Sequence, residues 1–321
     1  STGTVNVTGV WTVEAGGTTN IGRTNITMIT VAPGSATTIN GTLLFSASAA
    51  GNKIFRAITI SSTGTWDNTI GEDPRISGNI VNNGNWIGNS GSTADYQFGR
   101  TTGGNYTISG NPVSFSRMSF YNGTTVTNLG TITIDGAVNP GIRIQSGAGN
   151  AFYNGDGIVN AVLYLQNSTA PANGVQVSGN LFFYANRINN TVYYSRGGNQ
   201  TIRTPDPDPL DGGNACYYNL VCSNSGTKTF TTAGNTIGVK NLLTIQDAAI
   251  LQLAATDRLT NGCGGTAGLT MTGTSQLLIA MCNPTTVPEL TGTYTLTGGT
   301  IVLNGVCPQT LQPGVTYNNI S

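Results

Sequence analysis

"GGNQTI", residues 197–202, followed after a spacer by "CYYNLVCSNSGTKTF", residues 216–230, is the passage that decides the fold. It is one showing of a recurring pattern. "GGNYTI" (103–108) stands 94 positions earlier and precedes "SFYNGTTVTNLGTITI". "GVCPQTL" (305–311) stands later and precedes "TYNNIS", with 109 positions between Gln200 and Gln309. A fainter version, "GNKIFRAITISSTGTW", covers 51–66. Repetition on this scale is how a solenoid reuses one packing solution, coil upon coil. The units divide as 51–102, 103–196, 197–304 and a partial 305–321, within one elongated domain over 1–321.

Between the repeats lie short runs such as "ITMITVA", "RAITISS", "AVLYLQN" and "LLTIQD", rich in Val, Ile, Thr and Leu and bounded by Gly or Asn. These read as strands. "DAAILQLAATDR" (247–258) has helical composition, but its residues alternate between β-like neighbours and no capping box opens it, so it also reads as strand. The chain is all-β. Asn-Gly pairs at 40–41, 83–84, 122–123 and 154–155 could close hairpins, which makes tandem β-sandwiches the runner-up. The repeats favour a parallel β-solenoid, a β-helix with irregular coils. In-register stacking about 4.8 Å apart then predicts ladders of Asn, Thr and aliphatic residues.

Composition narrows function. Only 8% of residues are charged, against roughly 25% in ordinary soluble domains. The 13 basic and 13 acidic residues balance, and no basic face for nucleic acid is visible. Near-zero net charge favours self-association. No run is long and apolar enough to insert in a membrane, and "STGTVNVTGV" has no signal-peptide character, so an exported chain is expected in its mature form. The chain stops at "VTYNNIS", where the earlier copies run onward, and this edge is expected to be covered by further chain or another molecule.

Residues 197–253, "GGNQTI…YYNLVCSNSGTKTFTTAGNTIGVKNLLTIQDAAILQL", resemble a repeat of large secreted and cell-surface proteins of Bacteroidota: a Gln-Thr-Ile segment, an aromatic-Asn-Leu strand, "SGTKT", then a "NLTI"-type strand. The resemblance implies a β-helical, adhesin-like or structural protein exported by a type IX route. Five cysteines and a Pro/Asp-rich insertion depart from that pattern, and no sorting domain is recognisable.

The absence of histidine excludes Ser/His/Asp triads and most zinc sites. The densest acidic cluster is "PDPDPLD", with Asp206, Asp208 and Asp211. Its favoured reading is a stiff loop held by Pro205, Pro207 and Pro209, and the alternative is a calcium site. No other cofactor is indicated. "EDPR" (72–75) and "NGDG" (154–157) read as solvated corners. "LFFYANRINNTVYY" (181–194) could present Phe183, Tyr193 or Tyr194 to a sugar ring, and surface glycans are therefore candidate partners.

Five cysteines, at 216, 222, 263, 282 and 307, point to an oxidising compartment, extracellular or at the cell surface. Cys216 and Cys222 on one strand lie about 20 Å apart, beyond disulfide reach. Cys263 and Cys282, 19 positions apart, approximate one coil and are the expected pair. The functional expectation is a non-enzymatic stalk or filament subunit that associates with itself. A carbohydrate-binding adhesin module is the alternative, and a polysaccharide-degrading enzyme ranks third.

Overall fold

The computed structural model describes residues 4–321 except 8, 23–24, 28–34, 47–51, 168–171, 174, 177–180, 214, 232–233, 235 and 282–285; residues 4–6, 25–27 and 172–173 are described in backbone only. Among the described residues there is no helix, and every strand pair detailed by register is parallel. The fold is a parallel β-solenoid of about 11 turns. The chain divides into two compact units, one of residues 1–153 with 178–182, the other of 154–177 with 183–321.

In the first unit every third strand returns to the same sheet up to Asn85–Ile87, and two of the three sheets keep that rule beyond it. One wall stacks Thr4–Asn6, Asn25–Thr27, Lys53–Phe55, Arg75–Ile76, Tyr96–Phe98, Met118–Phe120 and Ile142–Ile144. A second runs from Trp11–Val13 through Ala36–Ile39, Ala57–Ile60, Ile80–Asn82, Asn105–Gly110, Thr125–Leu129 and Asn150–Asn154 to Leu181–Tyr184. A third holds Thr18–Ile21, Thr42–Phe45, Thr65–Asp67 and Asn85–Ile87. Period-two alternation sends one set of side chains inward. There the aromatic rings form a continuous spine, in which Trp66 lies over Trp86 at 4.9 Å and 8° and Phe115 meets Trp86, Tyr96 and Phe98 edge-on. Outward, Thr12, Thr38 and Thr59 are in register, as are Thr18, Thr42 and Thr65.

The corner between the second and third walls is a column of glycines. Thr42, Thr65 and Asn85 each donate a backbone N–H to the glycine carbonyl of the coil before, that of Gly17, Gly41 and Gly64 respectively, at 2.8–2.9 Å. A Cβ on Gly64 would collide with the Ile39 carbonyl oxygen, so backbone packs on backbone here. The Asn-Gly pairs thus turn corners and close no hairpins. Asn122 and Gly123 do have the positive φ of a hairpin turn, at 54° and 68°, yet the strands they join belong to different walls.

The second unit is built on two main walls. Ala161–Leu165, Asn190–Tyr194, Tyr217–Cys222, Thr236–Ile245, Gly268–Met271 and Tyr294–Leu296 form one. Ala172–Asn173, Gln200–Ile202, Ser225–Phe230, Ala248–Leu253, Gln276–Ile279 and Thr300–Leu303 form the other. Within the helix-like segment 247–258, Ala248–Leu253 is strand, with Ala249, Leu251 and Leu253 buried in alternation, and a turn at 254–257 leads into the next strand at Arg258. The expected ladders are present: Val192, Leu220, Leu243 and Leu269 stack inside, while Asn241 donates to Asn219, which donates to Thr191, outside.

The repeated glutamine has a local job. Gln200 accepts from the N–H of Arg196, four residues back, and donates to the Leu165 carbonyl at 2.9 Å. Gln309 repeats both bonds, accepting from Gly305 and donating to the Ile279 carbonyl at 2.7 Å. Each amide closes a corner and ties it to the preceding coil. Tyr106 holds the corresponding position in the first copy and reaches back four residues to the Thr102 carbonyl. Lys228, in register with Gln200 and buried, donates its ammonium to the carbonyls of Arg196, Gly198 and Ser225.

Candidate functional site

The residues singled out from the sequence do not assemble into one site. Asp206 pairs with Arg203 at 2.5 Å and accepts from the Phe183 N–H, Asp208 pairs with Arg187 at 2.9 Å, and Asp211 faces Lys240 at 3.5 Å and Asn186 at 2.8 Å. Three carboxylates facing three different cations do not converge on a calcium ion, and among the described residues no group of three or more metal-ligating side chains occurs. The calcium alternative is corrected accordingly.

Phe183 and Tyr194 are core residues. Phe183 is fully buried against Tyr217, and the buried Tyr194 hydroxyl lies 2.8 Å from that of Tyr217 and accepts from the Arg203 N–H. Neither can grip a sugar, because inward alternation takes both into the coil. Tyr193 does face outward and stacks on Tyr164, with ring centroids 4.4 Å apart.

The disulfide expectation is also corrected, since Cys263 bonds to Cys216 with 6.2 Å between Cα atoms. Coils here are 22 to 26 residues long, not 19, as Val239 opposite Asn261 and Leu243 opposite Leu269 set them. Gly238 and Gly262 make room: a Cβ on Gly262 would lie 2.6 Å from the Cys216 Cβ. Cys282 lies outside the described residues, Cys307 is disulfide-bonded, and Cys222 is a buried free thiol.

The strongest constellation is one the sequence does not announce. On the first wall of the first unit, Arg75, Gln97, Ser119 and Arg143 stand in register on four successive coils. Asp73, Asp95 and Arg117 lie two residues before the first three, and Arg100 and Tyr121 follow on. Asp95 accepts from the Ser119 hydroxyl at 2.5 Å and pairs with Arg143 at 3.0 Å, whose Nε donates to Ser119 at 2.9 Å. Asp73 accepts from the Asp95 N–H at 2.7 Å. Arg100 donates to Gln97 at 2.6 Å, and its guanidinium carbon stands 5.5 Å from the centre of the Tyr121 ring. Gln97 and Ser119 are buried beneath these long side chains.

Two guanidiniums are left over. Among the described residues Arg75 and Arg117 make neither a hydrogen bond nor an ion pair through their side chains, and Arg117 Nε is shielded from solvent without a partner. Burial, and after it the nearby Arg100, hold the Arg75 guanidinium below its ordinary range, while burial and then Arg143 do the same to Arg117. "EDPR" is therefore no solvated corner. Glu72 is buried 3.6 Å from the buried Lys53 ammonium, while Asp73 and Arg75 belong to this wall.

No protein family, no curated protein and no solved structure significantly matches the chain.

Proposed function

We propose that the chain is an extracellular structural or adhesive protein, a stalk or a subunit of a cell-surface filament, of the kind its resemblance to Bacteroidota secreted repeats implies. The observation that carries this reading is how its buried and half-buried polar groups are used. Gln200, Gln309 and Lys228 tie backbone corners, and the cystine joins residues 47 apart, so scarce polar chemistry goes into holding coil to coil. Neutral outward ladders such as Thr12, Thr38 and Thr59, with zero net charge, leave little repulsion between copies and favour self-association. The cystine suits an oxidising compartment.

Sedimentation velocity and negative-stain imaging of the purified chain across a concentration series test the proposal. Concentration-dependent growth of linear assemblies is expected. Monomeric particles at every concentration would remove the filament reading, and release of reducing ends from a polysaccharide would replace it with an enzymatic one.

A further inference from the structure

The arginine wall supplies what a purely mechanical role leaves unexplained. Placing guanidiniums beside one another, partly desolvated and with two of them unpaired, costs folding free energy. An anion set between them removes that cost. Arg75, Arg100, Arg117 and Arg143 come one per coil, so they span about 14 Å at the ~4.8 Å strand spacing. Asp73 and Asp95 are the acidic members, which leaves a local excess of two positive charges in a chain whose total is zero.

We propose that this wall binds a linear uronate polysaccharide along the coil axis, with Arg75 and Arg117 as the pair that grips its carboxylates. The inference rests on the adhesive half of the functional reading and names its ligand class. A guanidinium fork matches a planar carboxylate through two parallel hydrogen bonds, and the half-buried Tyr121 ring, with the Arg100 guanidinium over it, belongs to the same wall. Charge density selects the polymer. A nucleic-acid strand carries one phosphate per ~3.4 Å, too dense for a wall that itself bears two carboxylates. A glycan with at most one carboxylate per sugar meets one arginine per coil.

Isothermal titration of the full chain with polygalacturonate oligomers tests this, alongside neutral dextran and a single-stranded DNA oligonucleotide. Saturable, salt-sensitive binding of the uronate alone is expected. Arg75→Gln/Arg117→Gln should weaken it by about tenfold or more, and Arg75→Lys/Arg117→Lys, which keeps the charges and loses the forks, by an intermediate factor. Arg258→Gln, at an exposed ion pair in the other unit, should leave it unchanged. Equal binding of dextran, tighter binding of the oligonucleotide, no uronate binding up to about 1 mM, or a Gln variant that folds and binds as the parent does would each overturn the proposal. Sedimentation of the Gln variant separates the two readings: lost glycan binding with unchanged assembly isolates the wall from the shaft.

Discussion

Replacing Cys216 and Cys263 together by alanine measures how much of the second unit's stability comes from a crosslink. The bond closes 47 residues, and the chain-entropy relation for a loop of that length gives about 4 kcal/mol. For a unit of this size that corresponds to a fall in melting temperature of roughly 10 °C. The fluorescence of the chain helps to localise the effect. All three tryptophans, Trp11, Trp66 and Trp86, lie in the first unit, whereas the cystine lies in the second. Urea unfolding followed by far-ultraviolet circular dichroism should therefore show a transition at lower denaturant in the Cys216→Ala/Cys263→Ala variant. The tryptophan-detected transition should move less, because in a stack of coils stability is a sum of near-neighbour terms. The m-value of the displaced transition should rise, since the unfolded variant is no longer held compact. An unchanged midpoint in the dichroism signal would refute the reasoning.

Gly64→Ala should destabilise the first unit by about 2–3 kcal/mol or more, because the clash is with the Ile39 carbonyl and backbone yields little; the tryptophan-detected urea midpoint reads it. Gln200→Leu strips the Leu165 carbonyl of its buried donor and should cost about 1–3 kcal/mol, and Gln309→Leu, at a half-buried bond to Ile279, should cost less, both measured by dichroism. Alkaline stability should rise and then fall. Burial lowers the Lys228 pKa from 10.5 to about 8, so the unfolded chain binds more protons between those values and stability climbs as pH passes 8. Burial raises the Cys222 thiol from 9 to about 12 and the Tyr194 phenol from 10 to about 12, so the folded chain holds those protons longer and stability drops above about pH 10. Urea midpoints from pH 7 to 11 check both limbs, and Lys228→Met should abolish the first.

The strands were legible because alternation and bounding Gly or Asn report local backbone directly, and their parallel stacking because the segments at 103–108, 197–202 and 305–311 recur. Segment 247–258 was readable for the same reason, since Leu251 and Leu253 alternate with Gln252. What the sequence obscured is register. Coils vary from 19 residues, Val113 to Ile132, to 29, Tyr164 to Tyr193, so no fixed spacing identifies which residues lie one above another. The 19-position spacing of Cys263 and Cys282 does not match the coils of 22 to 26 at that point. The Gln200 and Gln309 repeats announced themselves because their four-residue closure is local.

The same physics explains why the sequence pointed to the wrong carboxylates. Asp206, Asp208 and Asp211 are neighbours in the chain, but each faces its own cation, Arg203, Arg187 and Lys240 respectively. Arg75 and Arg117 are 42 positions apart and join one wall because two coils of 22, Arg75 to Gln97 and Gln97 to Ser119, carry the chain back to the same sheet. In a solenoid, closeness is counted modulo the coil, so dispersed charges are the ones that can converge. The usable signal was the interval: Asp73 to Asp95 is 22 positions, and Asp95 to Arg117 is 22 again. A residue inserted within Tyr96–Phe98 would turn Gln97's neighbours to the opposite face and break the wall, whereas one inserted at the corner 101–104 would be absorbed in the turn. Uronate affinity should accordingly be lost in the first insertion and kept in the second, which ties the proposed binding to register and not to composition.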